Sequence, residues 1–239
     1  MQDTCQTKLS KKFSKSICFI EQCSLFLSRS LKCIMGTAER KAKEKEELKA
    51  LILSAAKKLF AEKGIEETTI RSIAKEIDYS VGTVYVYYKD KTEILHDLHQ
   101  QGFAQLGGEF RTLFHVSDPM ERLMALGRIY MNFALQNTQM YDLMFNMKAP
   151  MEFIKENEDD HWKEGNTTFD ALRRTVQECM DHGYFKGHQL EPLSFVIWGS
   201  VHGMCSLYIR DRVKAATGEE PDLLMNKAYE DLILMFSKK

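Results

Sequence analysis

Residues 70–88, IRSIAKEIDYSVGTVYVYY, combine two short helical patterns with a two-residue break between them. In the first pattern, apolar residues recur at steps of three and four, which favours an amphipathic helix. Ala74 is small enough to let a second helix cross closely, and Asp78 tolerates the left-handed backbone conformation of a tight turn. Val84 supplies one apolar anchor for the second helix. This spacing predicts a helix-turn-helix, in which two short helices pack at a steep angle.

The second of these helices has a small, polar face. Ser80 can cap its N-terminus. The residues that follow are small, as a helix in the major groove of DNA requires: Val81, Gly82 and Thr83. Tyrosine hydroxyls can donate to phosphate oxygens, and we expect Tyr85 and Tyr87 to face DNA while Tyr88 is buried. Packing of all three rings against the first helix is the alternative. Lys91 begins the next helix, where the helix dipole favours a phosphate, although an ordinary solvated lysine fits equally well.

The rest of the chain also has helical periodicity, with only four prolines and thirteen glycines. Leu, Ala, Lys, Glu and Met dominate, and all of them form helices readily. We predict an all-α fold. Apart from the helices already described, a helix ending at Lys63-Gly64 and a long helix opening at Asp90 are expected, followed by helices at about 119–137, 139–148, 163–182, 191–213 and 221–237.

The first 34 residues do not share this periodicity. A lysine-rich run precedes a short apolar run, as in a signal peptide, but Glu21 and Gln22 interrupt the apolar run. We expect residues 1–38 to be a disordered or non-native extension, with Met35 as the true start.

The charge is distributed unevenly along the chain. Residues 1–34 carry +4 and residues 35–91 carry +2, whereas residues 92–239 carry −7. A basic front suits a chain that presents one end to phosphates, although the asymmetry is modest. None of the six cysteines forms a C-x-x-C pair, and we predict no membrane span, so a reducing cytoplasm is the expected location.

The stretch from residue 59 to 95 resembles the DNA-binding domain of the tetracycline-repressor (TetR) family. The matching elements are Leu59-Phe60, Gly64, Thr69, Ile73-Ala74, Gly82-Thr83-Val84-Tyr85, Lys91 and Leu95. The resemblance implies a three-helix DNA-binding domain, here residues 39–91, and a helical ligand-binding and dimerisation domain, here residues 92–239. Asp78 departs from the usual Gly and adds a negative charge near the DNA. Carried over by position, the residues that face DNA are Thr69, Ser80, Val81, Gly82, Thr83, Tyr85, Tyr87 and Lys91.

The C-terminal half contains Trp198-x-x-x-His202-Gly203, which is similar to a signature of one subgroup of such regulators. Trp198 and His202 share a helix face and are expected at the ligand pocket or the dimer seam. A core Trp beside a hydrogen-bonded His is the alternative. Other Met and aromatic residues could line an apolar pocket, with plain core packing as the alternative for each: Met124, Tyr130, Phe133, Met144, Phe145, Met147 and Phe169. As a group they predict a lipophilic or aromatic effector.

These features predict a homodimeric, ligand-responsive transcription regulator, acting as a repressor that its effector releases from a pseudo-palindromic operator. The two recognition helices would lie about 34 Å apart, and the effector would move the helix that begins at Lys91. The dimer interface is expected around 191–213 and 221–237. The apolar residues assigned to it are Val196, Val201, Cys205, Leu232 and Phe236.

Two other functions fit the sequence less well. A helical adaptor without DNA binding would need neither Tyr85 nor Lys91. An enzyme could use Cys179 and His182 as a nucleophile and base, but nothing positions an orienting third group. The pairs His96/His99 and Cys179/His182 lack further ligands, so we predict no metal and no cofactor.

Overall fold

The computed structural model describes residues 37–156 and 163–236. The predicted N-terminal extension, apart from its last two residues, lies outside this description. Within the described ranges all regular structure is helical, which confirms the all-α prediction. The helices are α1 (Thr37–Lys63), α2 (Ile70–Glu76), α3 (Val81–Tyr85), α4 (Lys91–Arg111), α5 (Pro119–Gln136), α6 (Thr138–Phe145), α7 (Ala149–Glu156), α8 (Lys163–Asp181), α9 (Leu190–Ile209), α10 (Arg212–Thr217) and α11 (Pro221–Phe236).

The chain divides into two compact units, one ending at Ile52 and one beginning at Leu53. The described part of the first unit is the N-terminal half of α1, which is mostly exposed. It contains ion pairs one helical turn apart, between Arg40 and Glu44 at 3.6 Å and between Lys43 and Glu47 at 3.7 Å. Exposed pairs of this kind stabilise a helix only slightly. The predicted domain boundary between residues 91 and 92 stays a prediction.

The second unit contains α2 to α11, and α4 is its central helix. Helices α5, α6, α7 and α8 all contact α4, while α9 packs against α5 and α8. At Gly102 of α4, an added Cβ would lie 2.5 Å from the sulfur of Met144 and 2.8 Å from that of Met140. Helix α6 therefore packs directly on α4 where α4 has no side chain.

Two helices were not predicted from the sequence, and two were predicted too long. Helix α7 is short and follows a turn at residues 146–148, and α10 is separated from α9 by Asp211, whose φ is 53°. The left-handed residue ends the pattern that was predicted to run through 213. Helix α3 ends at Tyr85 rather than Tyr87.

Helix α9 is the one described helix long and apolar enough to cross a membrane by length and composition, with a mean hydropathy of 1.2 in its most apolar window. Only 28% of that window is buried within the chain. The assignment of Val201, Cys205 and Leu232 to a dimer interface is wrong, because all three are buried inside one chain. Val196 is 49% exposed, and the side chain of Phe236 lies outside the description.

Two histidines of α4 are buried beneath α6 and α7. The His99 side chain is 1% exposed, and its ring meets that of Phe103 at 5.0 Å. The neighbouring His96 ring stacks on Phe153 at 4.5 Å. Burial, and secondarily the proximity of His96, lower the pKa of His99 to about 4.

We expect the folded chain to lose stability as the pH falls from 7.5 to 5. The unfolded chain binds a proton at His99 near pH 6.5, whereas the folded chain resists it until about pH 4. The unfolded state therefore binds more protons in this window, and the free energy of unfolding falls by about 2 kcal/mol from this residue. Urea unfolding at a series of pH values measures it. His99→Met should flatten the curve, whereas replacing the exposed His188 by Asn should not; identical curves for both variants would contradict the assignment.

Candidate DNA-binding surface and effector cavity

Helices α2 and α3 both begin at side-chain caps, and the Ser80 cap of α3 was predicted from the sequence. The Thr69 hydroxyl accepts from the Ser72 N–H at 3.1 Å, and the Ser72 hydroxyl accepts from the Thr69 N–H at 3.0 Å. At α3, the Ser80 hydroxyl accepts from the Thr83 N–H at 3.0 Å. Ala74 and Val84 are both buried. Each cap satisfies an N–H that would otherwise lack a partner, so two very short helices keep fixed ends.

The turn between them contains Asp78, whose φ of 57° lies in the left-handed region. A residue tolerant of the left-handed conformation is predicted at this position, and the backbone confirms it. Asp adopts this conformation at a cost that Gly avoids. The carboxylate is exposed on the same connection that leads into α3.

Replacing Asp78 by Gly should stabilise the fold and strengthen DNA binding. Gly adopts the left-handed conformation without the steric cost that Asp has, but it also gives the unfolded chain more conformational freedom. The net increase in the free energy of unfolding should be about 0.5–1 kcal/mol. Loss of one negative charge should raise affinity for any duplex. Thermal unfolding and duplex titrations measure the two effects. Asp78→Asn, which keeps the backbone preference and removes the charge, should reproduce only the second.

The face of α3 that the sequence assigns to DNA is open. Ser80, Gly82 and Tyr85 are exposed, and Val81, Thr83 and Tyr87 are partly exposed. Tyr88 is 1% exposed, and its hydroxyl donates to Asp97 at 2.9 Å, so its predicted burial is confirmed. Thr69 is exposed at the start of α2, but its hydroxyl is engaged as a cap.

Val86 was not selected from the sequence, yet it is 76% exposed at the end of α3. It lies between the two tyrosines assigned to DNA. In the sequence a valine does not indicate a DNA contact, because its side chain has no hydrogen-bonding group. Only its exposure in the structure identifies Val86 as a candidate. An apolar side chain here suits contact with a thymine methyl group.

Two carbonyl groups at or just beyond the C-terminus of α1 accept hydrogen bonds from side chains later in the chain. The Lys91 ammonium donates to the Ile65 carbonyl at 2.8 Å, and the Gln139 amide donates to the Ala61 carbonyl at 2.9 Å. Both satisfy carbonyls at or just beyond the helix end, where intrahelical donors are missing. Lys91, predicted to contact phosphate, thus also fixes the start of α4 to the end of α1. Gln139 was not recognised from the sequence.

A cavity of about 340 Å³ lies within the helical bundle. Four of the predicted ligand residues line it: Tyr130, Phe145, Phe169 and Trp198. The other candidates lie elsewhere. Phe133 and Met144 are core residues, Met124 and His202 are not among the residues that line the cavity, and Met147 lines a separate groove between α1 and α6. The remaining wall is mostly aliphatic and comes from α4, α5, α8, α9 and α11, whose shared face could not be identified from periodicity alone.

The hydroxyl and indole groups in the cavity wall are hydrogen-bonded within the protein. The Thr168 hydroxyl donates to the Phe103 carbonyl at 3.3 Å, and the Tyr229 hydroxyl donates to the Met124 carbonyl at 2.6 Å. The Trp198 indole donates to the Tyr130 hydroxyl at 3.3 Å. No Asp, Glu, Lys or Arg lines the wall. A charged group buried there would lack a counter-charge, so the cavity suits an apolar guest.

His202 joins two tyrosines. Its Nδ1 lies 2.9 Å from the Tyr130 hydroxyl and 2.7 Å from the Tyr141 hydroxyl, and the Tyr141 hydroxyl also donates to the His202 carbonyl at 3.1 Å. Burial lowers the pKa of His202 and raises the pKa of both tyrosines. The network therefore stays neutral. Nδ1 accepts a hydrogen bond when the imidazole carries its proton on Nε2.

The phenyl ring of Phe145, the last residue of α6, lies among these groups. Its centroid is 5.2 Å from those of Phe103 and Tyr141, and 6.1 Å from that of Trp198. Such edge-on and tilted contacts add to the stability that burial alone gives. Helix α6 therefore carries Phe145 in the cavity wall at one end and Gln139 against α1 at the other.

Cys179 and His182 do not form a nucleophile and base. The Cys179 thiol is fully buried, and burial raises its pKa to about 12. His182 is exposed, and its Nδ1 lies 2.8 Å from the Glu178 carbonyl oxygen. Among the residues described here, no three His, Cys, Asp or Glu side chains are grouped to hold a metal ion.

Two family models match the chain, one on each side of residue 100. Residues 52–98 match "Bacterial regulatory proteins, tetR family", and residues 123–232 match "Tetracyclin repressor-like, C-terminal domain". The chain belongs to the TetR family. This family consists of regulators, which further disfavours an enzyme. The subgroup suggested by Trp198 and His202 is not identified by these matches.

Two curated relatives match stretches of different length. The regulator HbdR of Aromatoleum sp. (strain CIB) is 50% identical over 50 residues, which is 21% of this chain and only 22% of HbdR. The regulator AcrR of Shigella flexneri is 23% identical over 151 residues, covering 60% of this chain and 69% of AcrR. The identity is thus higher over the shorter match, and this chain spans only about a fifth of the length of HbdR.

Solved structures share the fold over most of the chain. A protein of unknown function from Rhodococcus sp. RHA1 has a TM-score of 0.66 at 19% identity and covers 80% of this chain and 96% of its own. The regulator FadR of Bacillus subtilis, solved with stearoyl-CoA, has a TM-score of 0.61 at 18% identity and covers 77% and 97%. At these identities the likeness establishes the fold alone.

Proposed function

We propose that this TetR-family chain represses transcription by binding operator DNA through α3 and is released by a lipophilic effector. The observation that carries the proposal is the open face of α3, which presents small residues and Tyr85. The position of α3 is fixed by the cap at its N-terminus and by its buried apolar residue. A rigid helix with a small polar face is what major-groove reading requires. The cytoplasm, where operator DNA lies, is the corresponding location.

The effector class follows from the cavity wall. Aromatic and aliphatic side chains dominate it, and its hydroxyl and indole donors are already used. An effector would therefore bury an uncharged hydrocarbon or aromatic portion. A long-chain acyl group, as in the stearoyl-CoA bound to FadR, is one group of this kind.

Two contacts can transmit effector binding to the DNA-binding helices. Helix α6 contributes Phe145 to the cavity and Gln139 to the end of α1, and α4 contributes Phe103 to the cavity and Lys91 to the segment after α1. An effector that displaces the Phe145 ring would shift α6, and one that displaces the Phe103 ring would shift α4. The other end of each helix contacts the DNA-binding part. The mechanism is a population shift between two positions of that part.

A homodimer is proposed because a single recognition helix reads few base pairs, whereas paired helices about 34 Å apart read two half-sites. The exposed apolar side chains of α9 and α11 supply a surface for the partner. They are Phe195, Val196, Leu207, Leu223, Leu234 and Met235.

Titration of a fluorescent duplex carrying the DNA upstream of the gene tests the proposal, with unrelated duplex as competitor and at two salt concentrations. Tight binding that survives the competitor supports a sequence-specific regulator. Binding indistinguishable from competitor at every upstream fragment would favour the adaptor.

Lys91→Ala should weaken operator binding and reduce the slope of log affinity against log salt by about one unit, because one phosphate contact is lost. The exposed Lys155→Ala is the matched control and should leave the slope unchanged. Weaker binding with an unchanged slope would mean that Lys91 acts only by holding the Ile65 carbonyl.

A further inference from the structure

A buried hydroxyl beside the effector cavity lacks a hydrogen-bond partner. The Ser194 side chain of α9 is fully buried, and its Oγ meets no donor or acceptor among the described residues. A helical serine commonly donates to the carbonyl four residues back, as Ser200 does to Val196 at 2.8 Å, but Ser194 does not. Because a buried polar group without a partner costs free energy, this hydroxyl favours a molecule that brings a polar atom to it.

Ser194 lies on the side of α9 that faces the cavity. The residues that follow it by three, four and seven positions all line the wall: Ile197, Trp198 and Val201. These spacings place the four side chains on one helix face. Side chains of a helix lean toward its N-terminus, so the Ser194 hydroxyl is displaced from the wall toward the turn that contains Glu191. It therefore lies at the edge of the cavity.

A second unpartnered polar atom lies near this edge, where α8 packs against α9. The Arg173 guanidinium of α8 donates to Asp170 at 2.8 Å and to Glu191 of α9 through its two terminal nitrogens. Its Nε is shielded from solvent and has no partner within the described ranges. Arg173 directly follows Leu172, and Glu191 precedes Phe195 by one helical turn; Leu172 and Phe195 both line the cavity. The ion-paired arginine thus borders the cavity from α8, as the serine does from α9.

We propose that Ser194 and Arg173 form a polar subsite of the effector cavity, which receives the carbonyl oxygen of an uncharged effector. The hydroxyl and the Nε–H are both hydrogen-bond donors, so one oxygen acceptor satisfies both. A mostly apolar pocket with a few placed polar groups fixes the orientation of its ligand. This inference rests on the proposed function and deepens it by naming the effector class. That class has a hydrocarbon or aromatic body and a ketone, ester or lactone oxygen.

A carboxylate is the other oxygen acceptor, but the charges at this edge oppose it. Asp170 and Glu191 already bring two negative charges to the single positive charge of Arg173. A further carboxylate adds repulsion away from bulk water, whereas a neutral carbonyl does not. The cavity wall contains no charged residue that would compensate. The subsite therefore selects a carbonyl compound over the corresponding acid.

Displacement of the neutral fluorophore N-phenyl-1-naphthylamine tests the subsite with two ligands of similar shape. Propiophenone and propylbenzene differ only in a C=O group in place of a CH2 group. Ser194→Ala should weaken propiophenone binding about tenfold, because the carbonyl loses a donor, and should leave propylbenzene binding unchanged. Ser200→Ala removes a hydroxyl from the same helix outside the cavity wall and is the matched control, which should change neither affinity.

Two further comparisons test the arginine and the charge. Arg173→Lys keeps a positive charge beside Asp170 and Glu191 but removes the Nε–H, and it should also weaken propiophenone selectively. The carboxylate 3-phenylpropanoate should bind the unsubstituted chain about tenfold more weakly than propiophenone, because of the two acidic side chains. Urea unfolding checks the fold of each variant. Ser194→Ala should be at least as stable as the unsubstituted chain, since it removes an unpartnered hydroxyl.

Equal affinities of propiophenone for the unsubstituted chain and for Ser194→Ala would overturn the subsite, as would a loss that propylbenzene shares. Binding of 3-phenylpropanoate as tight as that of propiophenone would overturn the assignment to an uncharged carbonyl. If neither propiophenone nor propylbenzene displaces the fluorophore, the subsite and the effector role of the cavity both fail.

Operator binding, measured on the same samples, distinguishes this inference from the proposed function. Propiophenone binding that depends on Ser194 but leaves the operator bound refutes release by the cavity ligand alone. Release of the operator by propiophenone and propylbenzene alike, with no effect of Ser194→Ala, refutes the subsite alone.

Discussion

The Gly82→Glu variant is expected to bind operator DNA about 100-fold more weakly than the unsubstituted chain. Gly82 is exposed in the first turn of α3, and the nearest atom to an added Cβ is the Ser80 hydroxyl oxygen at 3.7 Å. The fold therefore has room for the side chain, and the helix gains propensity. In the groove, however, a carboxylate meets phosphates and base edges at close range. A 100-fold weaker affinity corresponds to about 2.8 kcal/mol of binding free energy. Substitutions that disrupt contacts at the centre of an interface have effects in this range.

Gly108→Glu makes the same change at a helical glycine of α4 that also has room, its nearest neighbour being an Arg111 nitrogen at 3.5 Å. This control should retain operator binding within a few fold, since it changes net charge equally but lies outside the helix-turn-helix. Circular dichroism should give similar unfolding temperatures for both variants. Equal operator affinities of the two variants would remove α3 from the DNA interface.

The DNA-binding helices were predictable because their signals are local. Thr69 and Ser80 cap the helices that follow them, and Asp78 takes the left-handed conformation that the break between patterns implies. Each of these features depends on residues within four positions in the chain. The resemblance to the TetR family covers the same stretch, and the family match confirms it.

The residues that line the cavity were predicted only in part because its wall is assembled from six separate helices. Tyr130 and Phe145 line it, but Phe133 and Met144, chosen by the same reasoning, face the core. Periodicity identifies an apolar face without saying what that face meets. The contact of Gln139 with Ala61 spans 78 residues, and no local pattern predicts it.

Replacing Gly127 by Ala should destabilise the fold, although Gly→Ala in a helix usually stabilises it. Gly127 of α5 lies under the ring of Tyr229, and an added Cβ would stand 2.7 Å from its Cζ and 2.8 Å from its Cε2. The ring must shift and give up the hydrogen bond to the Met124 carbonyl. The higher helix propensity of Ala would raise the free energy of unfolding by about 1 kcal/mol, but overpacking and the lost hydrogen bond together outweigh this gain. We expect the free energy of unfolding to fall by about 2 kcal/mol.

A double-mutant cycle in urea unfolding separates the two causes. With Tyr229→Ala already present, Gly127→Ala should stabilise by about 1 kcal/mol, as Gly108→Ala should in the unsubstituted chain, giving a coupling of about 3 kcal/mol between Gly127 and Tyr229. Because Tyr229 lines the cavity and is buried in α11, the same displacement should change the shape of the cavity. A chain stabilised by Gly127→Ala alone would mean that α11 moves freely on α5. The cavity would then lack a fixed wall on that side, and its selectivity for an apolar guest would have to come from α8 and α9.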